Sequence, residues 1–136
     1  MLKEVIHPEG VPVHGIYTPA FRIRGGDLIV CSGMTSMDEH GRTFAPNDAA
    51  AQTRHILTTL EKTLAGAGAT LDDVISLRVF STDMRNREII NAERLKFFKE
   101  PLPASTHIEI SRLVEEDRLL EMEALAVVPS DRERTA

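Results

Sequence analysis

The sequence predicts an α+β domain, a mixed β-sheet with two helices on one face. Three observations lead there. Short alternating or apolar segments read as strands near the start, in the middle and at the end of the chain. Two segments with apolar residues three and four apart read as helices and fall between those strands. The last strand carries apolar residues on both faces, so neither face is simply solvated. With 136 residues, 42% hydrophobic and 27% charged, the chain has ordinary globular composition, and a single domain over residues 1–136 is expected.

Taken in order, Phe21-Arg22-Ile23-Arg24 alternates as a strand does. Gly25-Gly26-Asp27 separates it from the apolar run Leu28-Ile29-Val30-Cys31, which predicts a hairpin. Asn47 or Asp48 can cap a helix, since either side-chain oxygen accepts a bond from a free first-turn amide. From there Ala49, Thr53, Ile56, Leu57, Leu60 and Leu64 make one apolar stripe, which Gly66 and Gly68 stop. Val74 to Phe80 alternates again, with Ile75, Leu77 and Val79 on one face. A second helix is predicted from about Arg87 to Phe98. Its stripe of Ile90, Phe97 and Phe98 is interrupted by Arg94 at the i+4 position. Pro101 and Pro103 exclude further helix, and His107–Ile110 and Leu119–Val128 close the chain as strands. Residues 130–136 are polar and aperiodic, which predicts a frayed end.

The last strand carries Leu120, Met122, Ala124, Ala126 and Val128 on one face and Leu119, Glu121, Glu123, Leu125 and Val127 on the other. Two helices cover only one side of the sheet. The second, partly apolar side is therefore expected to meet another subunit.

Composition and motifs exclude more than they assign. Sixteen Lys and Arg against 21 Asp and Glu give a net charge of -5, which speaks against a general nucleic-acid binder. No apolar run approaches the ~20 residues of a membrane span, so no membrane partner is expected. The N-terminal Met-Leu-Lys-Glu-Val-Ile-His has no apolar h-region, and the single Cys31 cannot form an internal disulfide. A reducing cytoplasm is the expected location. HExxH, P-loop, GxGxxG, GxSxG and CxxC patterns do not occur. The five histidines (His7, His14, His40, His55, His107) lack paired ligand spacing, so no metal is expected. Cys31, within an apolar strand, reads as a small buried hydrophobe.

What remains is a set of small polar groups at strand ends. Tyr17 lies on the irregular segment before Pro19, Ser32-Gly33 ends the apolar strand, Pro103-Ala104-Ser105-Thr106-His107 opens another, and Glu121 and Glu123 share one face of the last. Gly15-Ile-Tyr17-Thr-Pro19, Val30-Cys-Ser32-Gly33-Met, Ala51-Gln52-Thr53-Arg54 and Leu71-Asp72-Asp73-Val74 come in that order. Val79-Phe80, the Met84 segment, Ile90-Asn91, Phe97-Phe98, Leu102-Pro103-Ala104 and Glu121-Met-Glu123-Ala-Leu-Ala-Val127 follow. In these, from Gly15 to Val128, the chain resembles the RidA family, also called YjgF/YER057c/UK114.

The resemblance implies a chorismate-mutase-like fold, assembly as a homotrimer, and a small-molecule pocket at each subunit interface. It implies hydrolysis of reactive enamines and imines to 2-keto acids and ammonia without metal or organic cofactor. Carried over by position, Tyr17, Ser32, Asn91, Ser105 and His107 would bind the substrate, and Glu121 would hold or activate the water. An iminium carbon is already electrophilic, so a positioned water and proton transfer are the main demands. The chain departs from the family where an arginine follows Pro-Ala to grip the substrate carboxylate. Ser105 stands there, which points to an enamine or imine other than the simple 2-imino acids. His107 stands where a small residue or cysteine is usual, and can be cationic near neutral pH. The alternative is a non-catalytic trimer that binds a small ligand in the same cleft. Ribonuclease activity, also described in the family, fits poorly with the acidic charge.

Overall fold

The computed structural model describes residues 2–130, so the frayed end expected over 130–136 lies, but for Ser130, outside the described residues. The elements are β1 (Lys3–Ile6), β2 (Ala20–Ile23), β3 (Asp27–Thr35), α1 (Ala49–Ala65), β4 (Val74–Ser81), α2 (Arg87–Arg94), β5 (Ala104–Glu109) and β6 (Leu120–Val128). The main sheet has the order β3-β6-β4-β5. β4 and β5 are parallel, as a strand–helix–strand crossover through α2 allows, and the other pairs are antiparallel. The fold class is the one expected: two helices packed on a mixed sheet.

α1 starts where an aspartate can cap it. The Asp48 side chain accepts a bond from Ala51 N, and Gly66 closes the other end. The stripe Ile56, Leu57, Leu60 and Leu64 is buried against Leu77, Val79, Leu120, Met122, Ala124 and Ala126 from the sheet and Ile90 from α2. A fully buried Leu or Ile contributes ~1.5–3 kcal/mol relative to an exposed one, so this layer carries much of the fold's stability. Gln52 is also buried, at the first turn of α1. Its amide donates to the Ala45 and Asp117 carbonyls and its oxygen accepts from Leu119 N, which anchors the chain entering β6.

Burial on β6 alternates as the sequence pattern requires, with Leu120, Met122, Ala124 and Ala126 under the helices and Glu121, Glu123 and Leu125 half-buried on the other face. That other face also carries Leu28 and Val30 of β3, which are 58% and 71% exposed. Among the described residues, no helix is long and apolar enough to cross a membrane.

Four local expectations are corrected. The hairpin does not form, because β2 pairs antiparallel with β1 in a separate two-stranded sheet. Gly25 and Gly26, with φ of 80° and 85°, turn the chain out of that small sheet into the main one. β4 has a register shift between Val74 and Ser76, so Val74 and not Ile75 fills the core. α2 ends at Arg94. Tight amide bonds from Lys96 to Glu93 O and from Phe97 to Arg94 O then fold the chain back and bury Phe98. β5 begins at Ala104, three residues before the predicted start, and puts Ser105 and His107 together on the strand.

Candidate active site

Strand register decides which candidate residues can meet. Ser105 lies opposite Leu77 and His107 opposite Val79, so both point to the helix-covered side at the β5 edge of the sheet. α2 runs beside that edge with Arg87, Asn91 and Arg94 at i, i+4 and i+7, on one helix face. The segment before β2 completes the wall with Ile16 and Tyr17. Thr18 holds this segment in place, with its amide donating to Pro103 O and its hydroxyl to Leu102 O. The result is a cleft of about 180 Å³ lined by Ile16, Tyr17, Arg87, Asn91, Arg94, Ser105 and His107. Drug-sized ligands occupy ~300–1,000 Å³, so this cleft suits a small metabolite.

Sequence reasoning named four of these residues and missed the two arginines. Arg94 is the more consequential, being only 4% exposed. Its guanidinium donates to Asn91 Oδ1 at 3.3 Å and to Ser105 Oγ at 3.0 Å, while Nε is buried without a partner. The neighbouring acid, Glu93, is engaged elsewhere, 3.1 Å from both Arg54 and Lys96. Burial, and then the like charge of Arg87, pushes the Arg94 pKa down to about 10, so it remains cationic at neutral pH. The cleft therefore contains a buried positive charge that the Ser105 position alone does not suggest. The signal was Arg94 on the apolar stripe of α2, read there as a defect in the stripe.

His107, which can be cationic near neutral pH, sits in surroundings that oppose the charge. Nε2 lies 3.0 Å from Ser81 Oγ, and Nδ1 is buried with no partner. Burial, and then the charges of Arg94 and Arg87, hold its pKa below the ordinary histidine value, so the imidazole is neutral and not cationic near pH 7. In the unfolded chain His107 takes up its proton near pH ~6.5, while the folded state resists it. Stability is therefore full above that pH and is lost as the pH falls below it, towards the depressed folded value. Replacing His107 with Gln should flatten the melting temperature of the protein across this acidic window. An unaltered pH profile would show that the histidine titrates normally.

Glu121 and Ser32 do not reach this cleft within one chain. Glu121 pairs with Phe80 and Thr35, one residue out of step with Met122 and Val79, so it projects from the uncovered face. Ser32 and Gly33 sit on that side of the molecule at a bulge in β3, between the Cys31–Ala124 and Met34–Met122 pairs. A Cβ at Gly33 would come within 2.5 Å of Glu121 Oε1, so the carboxylate lies over bare backbone. Glu123 forms a 3.3 Å ion pair with Arg78 on the same face. Cys31 is buried, which raises its pKa and suits a packing role. Among the described residues no group of three or more His, Cys, Asp or Glu side chains could hold a metal.

Known proteins share this fold. The profile of the family described as Endoribonuclease L-PSP matches residues 11–128. The 3-aminoacrylate deaminase RutC of Acinetobacter baylyi is 36% identical over 129 residues, covering 94% of this chain and 100% of that protein. Among solved structures, the Rid-family protein YyfB of Yersinia pestis superposes with a TM-score of 0.86 at 27% identity, covering 94% of this chain and 100% of that one. A YjgF/YER057c/UK114-family protein of Mycobacterium tuberculosis gives a TM-score of 0.67 at 34% identity, over 82% of this chain and 86% of that one. With its matching profile, its relatives of similar length and its shared architecture, the chain belongs to the RidA/YjgF family, whose profile carries the Endoribonuclease L-PSP description.

Proposed function

We propose that this protein is a cofactor-independent deaminase of reactive enamine or imine metabolites, working as a homotrimer of single-domain chains (residues 1–136) in the cytoplasm. The observation that carries the reading is the division of the site. Tyr17, Asn91, Ser105 and His107 line a cleft on one side of the sheet, and Glu121 and Ser32 lie on the other. The Glu121 side also exposes Leu28 and Val30. A second copy seated on that apolar face brings its Glu121 and Ser32 to the cleft of its neighbour, and the site is complete only then. The likeness to a 3-aminoacrylate deaminase supports the same chemistry.

The reaction needs little from the protein. An enamine takes a proton on carbon and becomes an iminium ion. Water then adds to the iminium carbon, forming the C–O bond while Glu121 takes the water's proton. Returning that proton to nitrogen lets the C–N bond break while the hydroxyl gives up its own proton to Glu121 or water, so ammonia leaves, a carbonyl product remains and the proton taken up on carbon is restored. Tyr17 and Asn91 shape the cleft around the substrate. Ser105, in place of the family arginine, makes simple 2-imino acids poor substrates.

The test is ammonia release from a panel of enamines, 3-aminoacrylate included, measured against the uncatalysed rate. Release no faster than in buffer, with a ligand that binds but is never turned over, would favour the non-catalytic binding trimer. The Glu121 position can be tested separately. Gly33→Ala should push the Glu121 carboxylate aside, since the added methyl meets the flexible end of that side chain. Turnover should fall on the order of ten- to a hundredfold, with melting changed by less than ~0.5 kcal/mol. Unchanged turnover would mean that the carboxylate need not lie over Gly33.

A further inference from the structure

A cation as buried as Arg94 is ordinarily matched by an acid, because an unpaired buried charge is costly. No carboxylate among the described residues pairs with it, and the charge that acts on it is that of another arginine, Arg87. A guanidinium has five N–H groups. Asn91 and Ser105 take two, which leaves the Nε–H and one on each terminal nitrogen, three in all. Those groups lie in a planar fork that matches two carboxylate oxygens. The unpartnered Nδ1 of His107 lines the same cleft.

We propose that Arg94 binds the carboxylate of the substrate, reaching it from α2 while Asn91 and Ser105 orient its guanidinium. The assignment rests on the deaminase reading for the reaction but not for the binding. It gives Ser105 a positive role. A serine at this β5 position accepts a bond from the helix arginine, whereas an arginine there would compete with Arg94 for the same space. It also defines the substrate class, anionic enamines or imines other than the simple 2-imino acids, with the carboxylate placed to be held from the helix side of the cleft and not from the strand. The cleft's volume of about 180 Å³ limits them to small ones.

The experiment is calorimetric binding of 3-hydroxypropionate, its neutral amide and inorganic phosphate to the native protein, to Arg94→Met and to Arg94→Met/Ser105→Arg. The acid should bind and the amide should not. Arg94→Met should weaken the acid by roughly ten- to a hundredfold, the scale of a lost charge-assisted hydrogen bond. The double variant, which moves the cation to the strand, should recover part of that loss. Should Arg94→Met fail to fold, Ser105→Ala removes the orienting hydroxyl and should weaken the acid by about two- to tenfold. Equal affinity for acid and amide, binding of phosphate alone, or full affinity in a folded Arg94→Met would each overturn the assignment. Carboxylate binding through Arg94 without ammonia release would uphold it and defeat the deaminase reading instead.

Discussion

Glu121→Gln is expected to lower turnover on any accepted enamine by ~10²–10⁴-fold, the usual contribution of a positioned acid–base group. The substitution keeps the shape of the side chain and its place over Gly33 and removes its capacity to take a proton. Glu121 is half-buried on the uncovered sheet face, and the core residues on either side of it, Leu120 and Met122, point the other way. Melting temperature and trimer mass should therefore stay near those of the native protein. The loss should appear in kcat with KM nearly unchanged, because in the proposed site the substrate is held by the cleft residues of the neighbouring chain. A variant with native kcat would reduce Glu121 to a structural carboxylate and leave the water without an identified base. Equal loss in kcat and binding would instead place Glu121 against the substrate.

The parts of the fold legible in the sequence were those set by local periodicity. α1 was readable because its stripe is uninterrupted and Asp48 supplies the cap where the stripe begins. β6 was readable because its alternation survives into the burial pattern from Leu120 to Ala126. Partner choice was not legible. β2 and β3 flank a Gly-Gly turn as a hairpin would, yet β2 bonds to β1, whose four residues Lys3–Ile6 carry too little pattern to be recognised as a strand. The bulge at Ile75 was likewise invisible, since a register shift leaves no mark on the alternation of a single strand.

The site divides along the same line. Tyr17, Asn91, Ser105 and His107 were placed together by resemblance, and the strand register brings them to one cleft. Glu121 was placed with them, although it lies on the other face, because the parity of β6 against β5 depends on how each pairs with β4. Arg94 was passed over for a physical reason. A charge on an apolar stripe counts against a helix when amphipathicity is the criterion, and it becomes informative only once the cleft facing it is known. The interruption of a stripe by a long cation, with polar Asn91 three residues before and Arg87 seven before, is the pattern of a helix with a functional face.

Val30→Asp is expected to convert the trimer to monomers and to abolish turnover altogether. Val30 is 71% exposed in the single chain, so an aspartate there costs the isolated domain little, and the melting of the monomer should change by less than ~0.5 kcal/mol. In the proposed trimer the same position is covered by a neighbour. An unpaired carboxylate buried at an apolar contact costs several kcal/mol, and a closed trimer repeats that cost at three equivalent interfaces. If each complete site joins the cleft of one chain to Glu121 of another, as proposed, dissociation separates base from substrate and activity should fall to the uncatalysed rate. Light scattering and ammonia release on the same sample test both halves. A folded Val30→Asp monomer with native activity would show that one chain suffices, and that Glu121 has no part in the reaction. A native protein that is itself monomeric at micromolar concentration would remove the shared site. A trimer left intact by the aspartate would move the interface off this face of the sheet, and the exposure of Leu28 and Val30 would then need a different partner.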